Sequence, residues 1–325
     1  MSGRTPAMKH LPLISAAFKY VEKSFGEWLD VLGYNEHSVY EMPNQVRALL
    51  HYLEQQGKTS LKDITKEEIK TYYHNVLKYR PNKTKGGSLS NGTLNKHLDA
   101  LNKFCDYLRQ SGRQIIPALS IQREENDSKT PAVLTEAEVK ALYKACDDYP
   151  EWSKNKAEWF YPALALRDKA MLTIYYGCGL RRNEGIHIEL NDIWWDKQLL
   201  HVKKGKNYKE RFVPISKSGI KHLERYLYDA RPMLLREKKS DAFFINERGK
   251  PMQGAMMLLR LNTLIERTQN ARLQEKQAGL HTLRHSIATH LLGNGMDMEK
   301  IKDFLGHTSL ESTQIYTHLL EIETK

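Results

Sequence analysis

Hydrophobic positions in the first hundred residues recur at helical spacing. Phe18, Val21, Phe25, Trp28 and Leu29 form an apolar stripe within residues 15–32, and Val46, Leu49, Leu50 and Leu53 form a second that Gly57 closes. Thr65 followed by Glu68 has the spacing of a capping box, and Ile69, Tyr72, Tyr73, Val76 and Leu77 continue from it. Pro81, Gly86, Gly87 and Gly92 mark a loop. A fourth helix follows, with Leu94, Leu98, Leu101, Phe104, Cys105 and Leu108 on one face, and ends at Ser111-Gly112. Four or five helices in about 100 residues predict a compact all-α domain over residues 10–116.

The pattern then breaks. Residues 117–132 (PALSIQREENDSKTPA) hold two prolines, a polar cluster and no helical stripe, which reads as a linker. A second domain, residues 133–325, opens with a capping box at Thr135 and Glu138, followed by Val139, Leu142, Tyr143 and Cys146 at i, i+3, i+4 and i+7. A small antiparallel sheet interrupts this mainly helical domain. Leu199–Val202 reads as one strand, 203–209 as a polar turn, 211–215 as the returning strand and 242–245 as a third. From about Met256 the helical period resumes. The aromatic stretch 149–163 (YPEWSKNKAEWFYPA) reads as a packed or partner-binding insert.

No apolar run reaches the roughly 18 residues of a membrane span, and the short apolar stretch at 11–18 lacks a signal-peptide pattern. The expected protein has no membrane partner and resides in the cytoplasm. Three widely spaced cysteines, Cys105, Cys146 and Cys178, exclude a disulfide framework and a cysteine-based zinc site. Fifty Lys and Arg against 39 Asp and Glu give a net charge of +11, which points to a polyanion such as nucleic acid. The excess is local. Between Lys78 and Arg113 eight basic residues face two acidic ones, Asp99 and Asp106.

Four patches of the second domain share one chemistry. They are Gly179-Leu180-Arg181-Arg182-Asn183-Glu184, Lys206 in the 203–211 turn, Leu280-His281-Thr282-Leu283-Arg284-His285, and Leu305-Gly306-His307 with Tyr316 nine residues on. On a helix His281 and Arg284 lie on one face, and Thr308 with Glu311 has the spacing of a capping box that starts a helix carrying Tyr316. Two arginines, a lysine and two histidines make a cationic, proton-handling set suited to a phosphodiester that develops negative charge. Singly, each is an ordinary surface or packing residue; the joint order carries the reading. A zinc pair at His281 and His285 lacks the glutamate of His-Glu-x-x-His, since residue 282 is Thr, and lacks a third ligand.

In residue type and in order, these patches resemble the tyrosine recombinase (phage-integrase-like) family, whose catalytic fold is shared with type IB topoisomerases. The resemblance spans about residues 133–320, and Leu166-Arg167-Asp168-Lys169-Ala170 is also similar to the family pattern. It implies a helical core-binding domain followed by a mainly α catalytic domain with a small antiparallel sheet. It also implies roles. Tyr316 is the nucleophile that forms a 3′-phosphotyrosyl bond, Arg181 and Arg284 hold the non-bridging oxygens, and Lys206 is the general acid for the 5′-oxygen. His281 takes part in proton transfer, His307 bonds the phosphate, and Glu184 is a supporting acid. Lys206 is chosen over Lys203, Lys204 and Lys209 by its five-residue offset from Arg211, as in the family's Lys-x-x-Lys-x-Arg run, with Asn207 where glycine is common. The cationic side chains do the work of a metal, so the resemblance implies neither metal nor other cofactor.

By the same resemblance the partner is double-stranded DNA, gripped in a clamp of the two domains by a homotetramer on paired sites, with accessory DNA-bending proteins as further partners. Residues Lys83, Lys85, Asn95, Lys96, Lys103 and Arg109 are the expected DNA contacts, with His97, Asp99 and Asn102 beside them. Six neutralised phosphates would give log K against log salt a slope of about −5. The nine residues after Tyr316 are a short tail by the family's pattern, and no N-terminal arm-binding domain is expected. The expected function is site-specific recombination or integration through a Holliday junction for a mobile genetic element. The alternatives are resolution of chromosome or plasmid dimers, a type IB topoisomerase-like activity, and a DNA-binding regulator with a vestigial site.

Overall fold

The computed structural model describes residues 11–82, 86–125, 131–148, 157–203, 210–307 and 313. The chain divides into two compact units, residues 1–129 and 130–325.

In the first unit, α1 (Ala16–Val31) starts where the Ser15 hydroxyl accepts from the Phe18 N–H, and it buries Phe18, Val21, Phe25 and Leu29. α2 (Glu36–Gln55) is capped by Asn35 and faces the core with Val46, Leu49, Leu50 and Leu53. α3 (Lys66–Tyr72) begins at Thr65, whose side chain accepts from Glu68 N–H. The Glu68 carboxylate pairs with Lys58, and the Thr65 N–H bonds to Asp63 O, so the cap is one-sided. α4 (Asn91–Gln110) is capped by Ser90 and meets α1 through Phe25 and Phe104, edge to face at 5.3 Å.

The polar stretch that follows is docked on this unit. Ile116 and Leu119 are buried in its core. Asn95 Nδ2 donates to Glu124 O at 2.9 Å and Asn95 Oδ1 accepts from Glu124 N–H at 2.9 Å. Arg123 pairs with Asp99, and Glu124 with Lys78. Burial of two apolar residues and these bonds keep the first half of residues 117–132 against α4, despite a composition that reads as linker.

The second unit opens with α5 (Glu136–Ala145), where the Thr135–Glu138 capping box forms in both directions. α6 (Phe160–Leu172) runs on through a wide turn to Gly177, followed by α7 (Arg182–Ile186). Strands β1 (Ile193–Trp194), β2 (Leu199–Val202) and β3 (Arg211–Pro214) pair antiparallel in that order, and Val202 lies opposite Arg211 at the end where the chain passes from β2 to β3. α8 (Lys217–Arg225), α9 (Arg231–Leu235), α10 (Gly254–Arg267), α11 (Ala271–Glu275), α12 (Leu280–Gly293) and α13 (Met298–Leu305) complete the described part.

The sheet is three-stranded as expected, but its third strand is Ile193–Trp194 and not 242–245. Residues 242–245 make only isolated bridges, Ala242 to Glu189 and Ile245 to Pro251. Their backbone groups are satisfied one at a time: Phe243 N–H by Ile188 O and Ile245 N–H by the Tyr226 hydroxyl. Phe243 and Phe244 are both buried, which the alternating faces of a strand would not allow on a one-sided sheet. Arg167 holds this segment from below. It is fully buried and donates to Ile245 O at 3.3 Å and to Glu247 at 2.9 Å, while its neighbour Asp168 pairs with Arg260 at 2.6 Å. The Leu-Arg-Asp stretch is therefore a buried brace. Among the described residues no helix is long and apolar enough to cross a membrane.

Candidate active site

Three elements bring the sequence patches together. The turn after α6 ends in Gly179-Leu180-Arg181, α12 carries His281 and Arg284, and α13 ends in Leu305-Gly306-His307. Glu184, on α7, is the buried centre. It accepts from Arg181 N–H at 2.8 Å and from the Arg181 guanidinium at 3.0 Å. Arg211 grips both of its oxygens, at 3.1 and 3.0 Å, and Arg284 stands 3.7 Å away. Burial pushes the Glu184 carboxyl up, but the hydrogen bonds and charge of Arg211, with the Arg181 N–H and the Arg284 charge, outweigh it and leave it below its ordinary range. Three guanidiniums around one carboxylate give the group a surplus of two positive charges.

Backbone carbonyls aim these guanidiniums. Arg284, almost fully buried, donates to Gly179 O at 2.7 Å and to Leu305 O at 2.8 Å. Arg181 reaches Gly306 O at 3.3 Å, and Arg211 Nε donates to Phe304 O at 2.9 Å. The C-terminal carbonyls of α13, which lack partners within their helix, thus collect three arginines. Gly306 caps α13 in the left-handed conformation, φ 67°.

The histidines surround this cluster. His281 is exposed, its ring centroid 5.6 Å from that of His285. Surrounding protein and the charges of Arg284 and Arg181 hold its pKa below the ordinary value. His307 is half-buried, with Nδ1 2.9 Å from the hydroxyl of buried Thr313. Burial, then Arg284 and Arg181, lower its pKa to about 3, and burial lowers His285 to about 4. The lowered pKa values favour neutral imidazoles near pH 7, each with one ring N–H that can donate to an oxygen and one unprotonated nitrogen. His290 is bonded to the Tyr176 hydroxyl at 2.9 Å and supports α12. A cleft of about 580 Å³ opens beside the cluster, lined by Arg181, Arg182, Asn183, Leu258, Leu280 and His281.

Of the predicted set, Arg181, Glu184, His281, Arg284 and His307 converge here. Lys206, Tyr316 and the Thr308–Glu311 capping box lie outside the described residues. Arg211 is the member that sequence reasoning missed as a site residue. It served only to index Lys206, although a basic residue closing that run was the available signal. Thr313 gave no signal, because a single threonine carries none until His307 is placed against it.

The phage integrase family model matches residues 132–322. Tyrosine recombinase XerC 2 of Ralstonia nicotianae is 30% identical over 303 residues, 93% of this chain and 82% of that protein. Tyrosine recombinase XerD of Proteus mirabilis is 36% identical over 224 residues, 68% of this chain and 66% of that protein. The chain belongs to the phage integrase family of tyrosine recombinases. It is an enzyme of the site-specific recombinase class. The fold agrees: the XerH site-specific recombinase bound to its difH substrate, in the pre-cleavage complex, matches with a TM-score of 0.68 at 20% identity, covering 97% of each chain. The Tn1549 transposon integrase in complex with transposon right end DNA matches with a TM-score of 0.67 at 16% identity, covering 94% of this chain and 98% of that one.

In this recombinase the expected DNA-contact residues of the first unit divide sharply. Lys96 and Arg109 are exposed, and Lys103 is partly so. Lys103 and Arg109 both approach Asp106, at 3.4 and 3.6 Å. Asn95 is buried and spends its amide on Glu124, so it positions the chain and does not face outward. His97 is buried too, and burial lowers its pKa to about 4. Lys83 and Lys85 lie outside the described residues, as does the first part of the aromatic insert. Trp159, Phe160 and Tyr161, at its end, pack on the core of the second unit.

Proposed function

We propose that the protein cleaves and rejoins duplex DNA through Tyr316, with residues 10–116 as a DNA-binding domain and 133–325 as the catalytic domain. The carrying observation is the convergence of three guanidiniums on Glu184 beside His281 and His307, a cationic cradle shaped for one phosphate. The Tyr316 oxygen attacks phosphorus and its proton passes to His281. The bond to the 5′-oxygen breaks, and Lys206 protonates the leaving oxygen. Arg181, Arg284 and His307 stabilise the charge that builds on the non-bridging oxygens. Attack by a 5′-hydroxyl reverses the sequence and releases the tyrosine, so the energy of the phosphodiester is conserved.

Strand exchange in pairs by a homotetramer, through a Holliday junction, completes the reading. The setting we infer is the cytoplasm and its nucleoid. The recombinase serves a mobile element, as the likeness to a transposon integrase supports. A second reading, resolution of DNA dimers, is favoured by the Xer relative of Ralstonia nicotianae, whose match covers 93% of this chain.

The test is covalent trapping. Protein is incubated in EDTA with supercoiled plasmid carrying the DNA that flanks its gene, and adducts that survive SDS are collected. Adducts that disappear in Tyr316→Phe support the proposal; adducts that persist in that variant overturn the assignment of the nucleophile. Excision circles from a plasmid carrying both flanks favour the mobile element, and conversion of plasmid dimers to monomers favours resolution.

A further inference from the structure

Beside the described cluster stands a fourth arginine with a different environment. Arg182 follows Arg181 directly, but it is exposed, and among the described residues no carboxylate pairs with it. It is nevertheless held from two sides. The buried Tyr175 hydroxyl donates to Arg182 O at 3.2 Å. The same Tyr175 ring packs so close to Gly185 that a Cβ there would meet it at 2.6 Å, which fixes α7 against the core. The Arg182 stem lies over Gly254, the first residue of α10. A Cβ on Gly254 would meet Arg182 Cδ at 2.9 Å and both Cγ and Nε at 3.2 Å. An exposed arginine usually loses considerable rotamer entropy on binding a ligand, and a stem seated in a glycine notch has lost part of it beforehand. The cleft this side chain lines also contains Arg181 and His281, and its charge is among those that lower the His281 pKa.

We propose that Arg182, seated on Gly254, is a second phosphate clamp, which binds the DNA-backbone phosphate next to the one held by Arg181 and Arg284. The inference rests on the proposed DNA reaction. Arg182 is a positioning residue here: it touches the strand but not the reacting atoms, and it fixes the register in which the scissile phosphate enters the cleft.

The experiment is a salt titration of binding to a 40-base-pair duplex of mixed sequence, followed by fluorescence anisotropy, with the full chain. Arg182→Gln removes one phosphate contact and lowers the slope of log K against log salt by about 0.9. Arg182→Lys keeps the charge and restores most of that slope. Gly254→Ala, which leaves Arg182 chemically intact but fills its seat, weakens binding in the same direction. The double variant Arg182→Gln, Gly254→Ala binds no more weakly than Arg182→Gln alone. Thermal melts of all variants identify any that fail to fold. An unchanged slope in folded Arg182→Gln overturns the clamp, and losses that multiply in the double variant overturn the role of the Gly254 seat. A wild-type protein that does not bind the duplex overturns the underlying DNA reading, a result distinct from either.

Discussion

Arg211 lies against Gly306, so close that a Cβ at Gly306 would meet Arg211 Nη1 at 2.8 Å and Cζ at 3.0 Å. The glycine of Leu-Gly-His thus has two jobs: it takes the left-handed cap conformation of α13, and it makes room for the guanidinium that grips Glu184. Gly306→Ala therefore costs about 1–3 kcal/mol of stability from backbone strain, and it also lowers DNA cleavage by pushing Arg211 off Glu184. Urea unfolding and adduct yield measure the two effects separately.

Glu184→Ala leaves Arg181, Arg211 and Arg284 close together without the carboxylate they share. Removing one partner from such a buried charged network costs about 3–5 kcal/mol. The denaturant midpoint should fall accordingly, and a variant as stable as the parent would contradict the central role of this carboxylate.

Arg284→Ala removes a guanidinium proposed to hold the phosphate, and cleavage should drop by about 10²–10³ while duplex binding is largely kept. Because Arg284 also ties Gly179 O to Leu305 O, some loss of stability accompanies it. Equal losses in binding and cleavage would reassign Arg284 to a purely structural role.

Stability should decline on acidification. His285 and His307 have pKa values of about 4 and about 3 in the folded chain, against an ordinary 6.5. Between those values the unfolded chain binds protons that the folded chain does not, so stability rises with pH from about 3 to 6.5 and begins to be lost as pH falls below 6.5. The lowered Glu184 carboxyl acts in the same direction once pH falls below its ordinary 4.5. Melting temperatures at pH 7.5 and 5.0 check this, and His307→Asn should reduce the difference.

Asn95→Ala breaks both bonds to the Glu124 backbone and should destabilise the first unit by about 1–3 kcal/mol. Limited proteolysis should then cut faster within residues 117–125. A cleavage rate equal to the parent's would show that Ile116, Leu119 and the ion pairs of Arg123 and Glu124 hold the segment without it.

The sequence by itself determined the helical stripes, most of the caps and the order of the motifs. These are local properties: spacing sets which residues share a helix face, and a Ser, Thr or Asn before a stripe satisfies the first N–H groups wherever the helix later packs. The identity of Arg181, His281, Arg284 and His307 as a set was legible for the same reason, since their order along the chain is preserved whatever the fold does with it. Tertiary structure alone decided the rest. Residues 242–245 have the composition of a strand, yet burial of both Phe243 and Phe244 outweighed ladder pairing. Residues 117–125 have the composition of a linker, yet Asn95 and two buried apolar side chains fasten them down. Asn95 itself reads as a surface contact until the chain that covers it is placed. The part played by Arg211 depends on Glu184 and Phe304 arriving from distant points of the chain, and no spacing rule encodes a meeting of that kind. Local free energies are written in neighbouring residues, but the partners of a buried charge are set by how the whole chain packs.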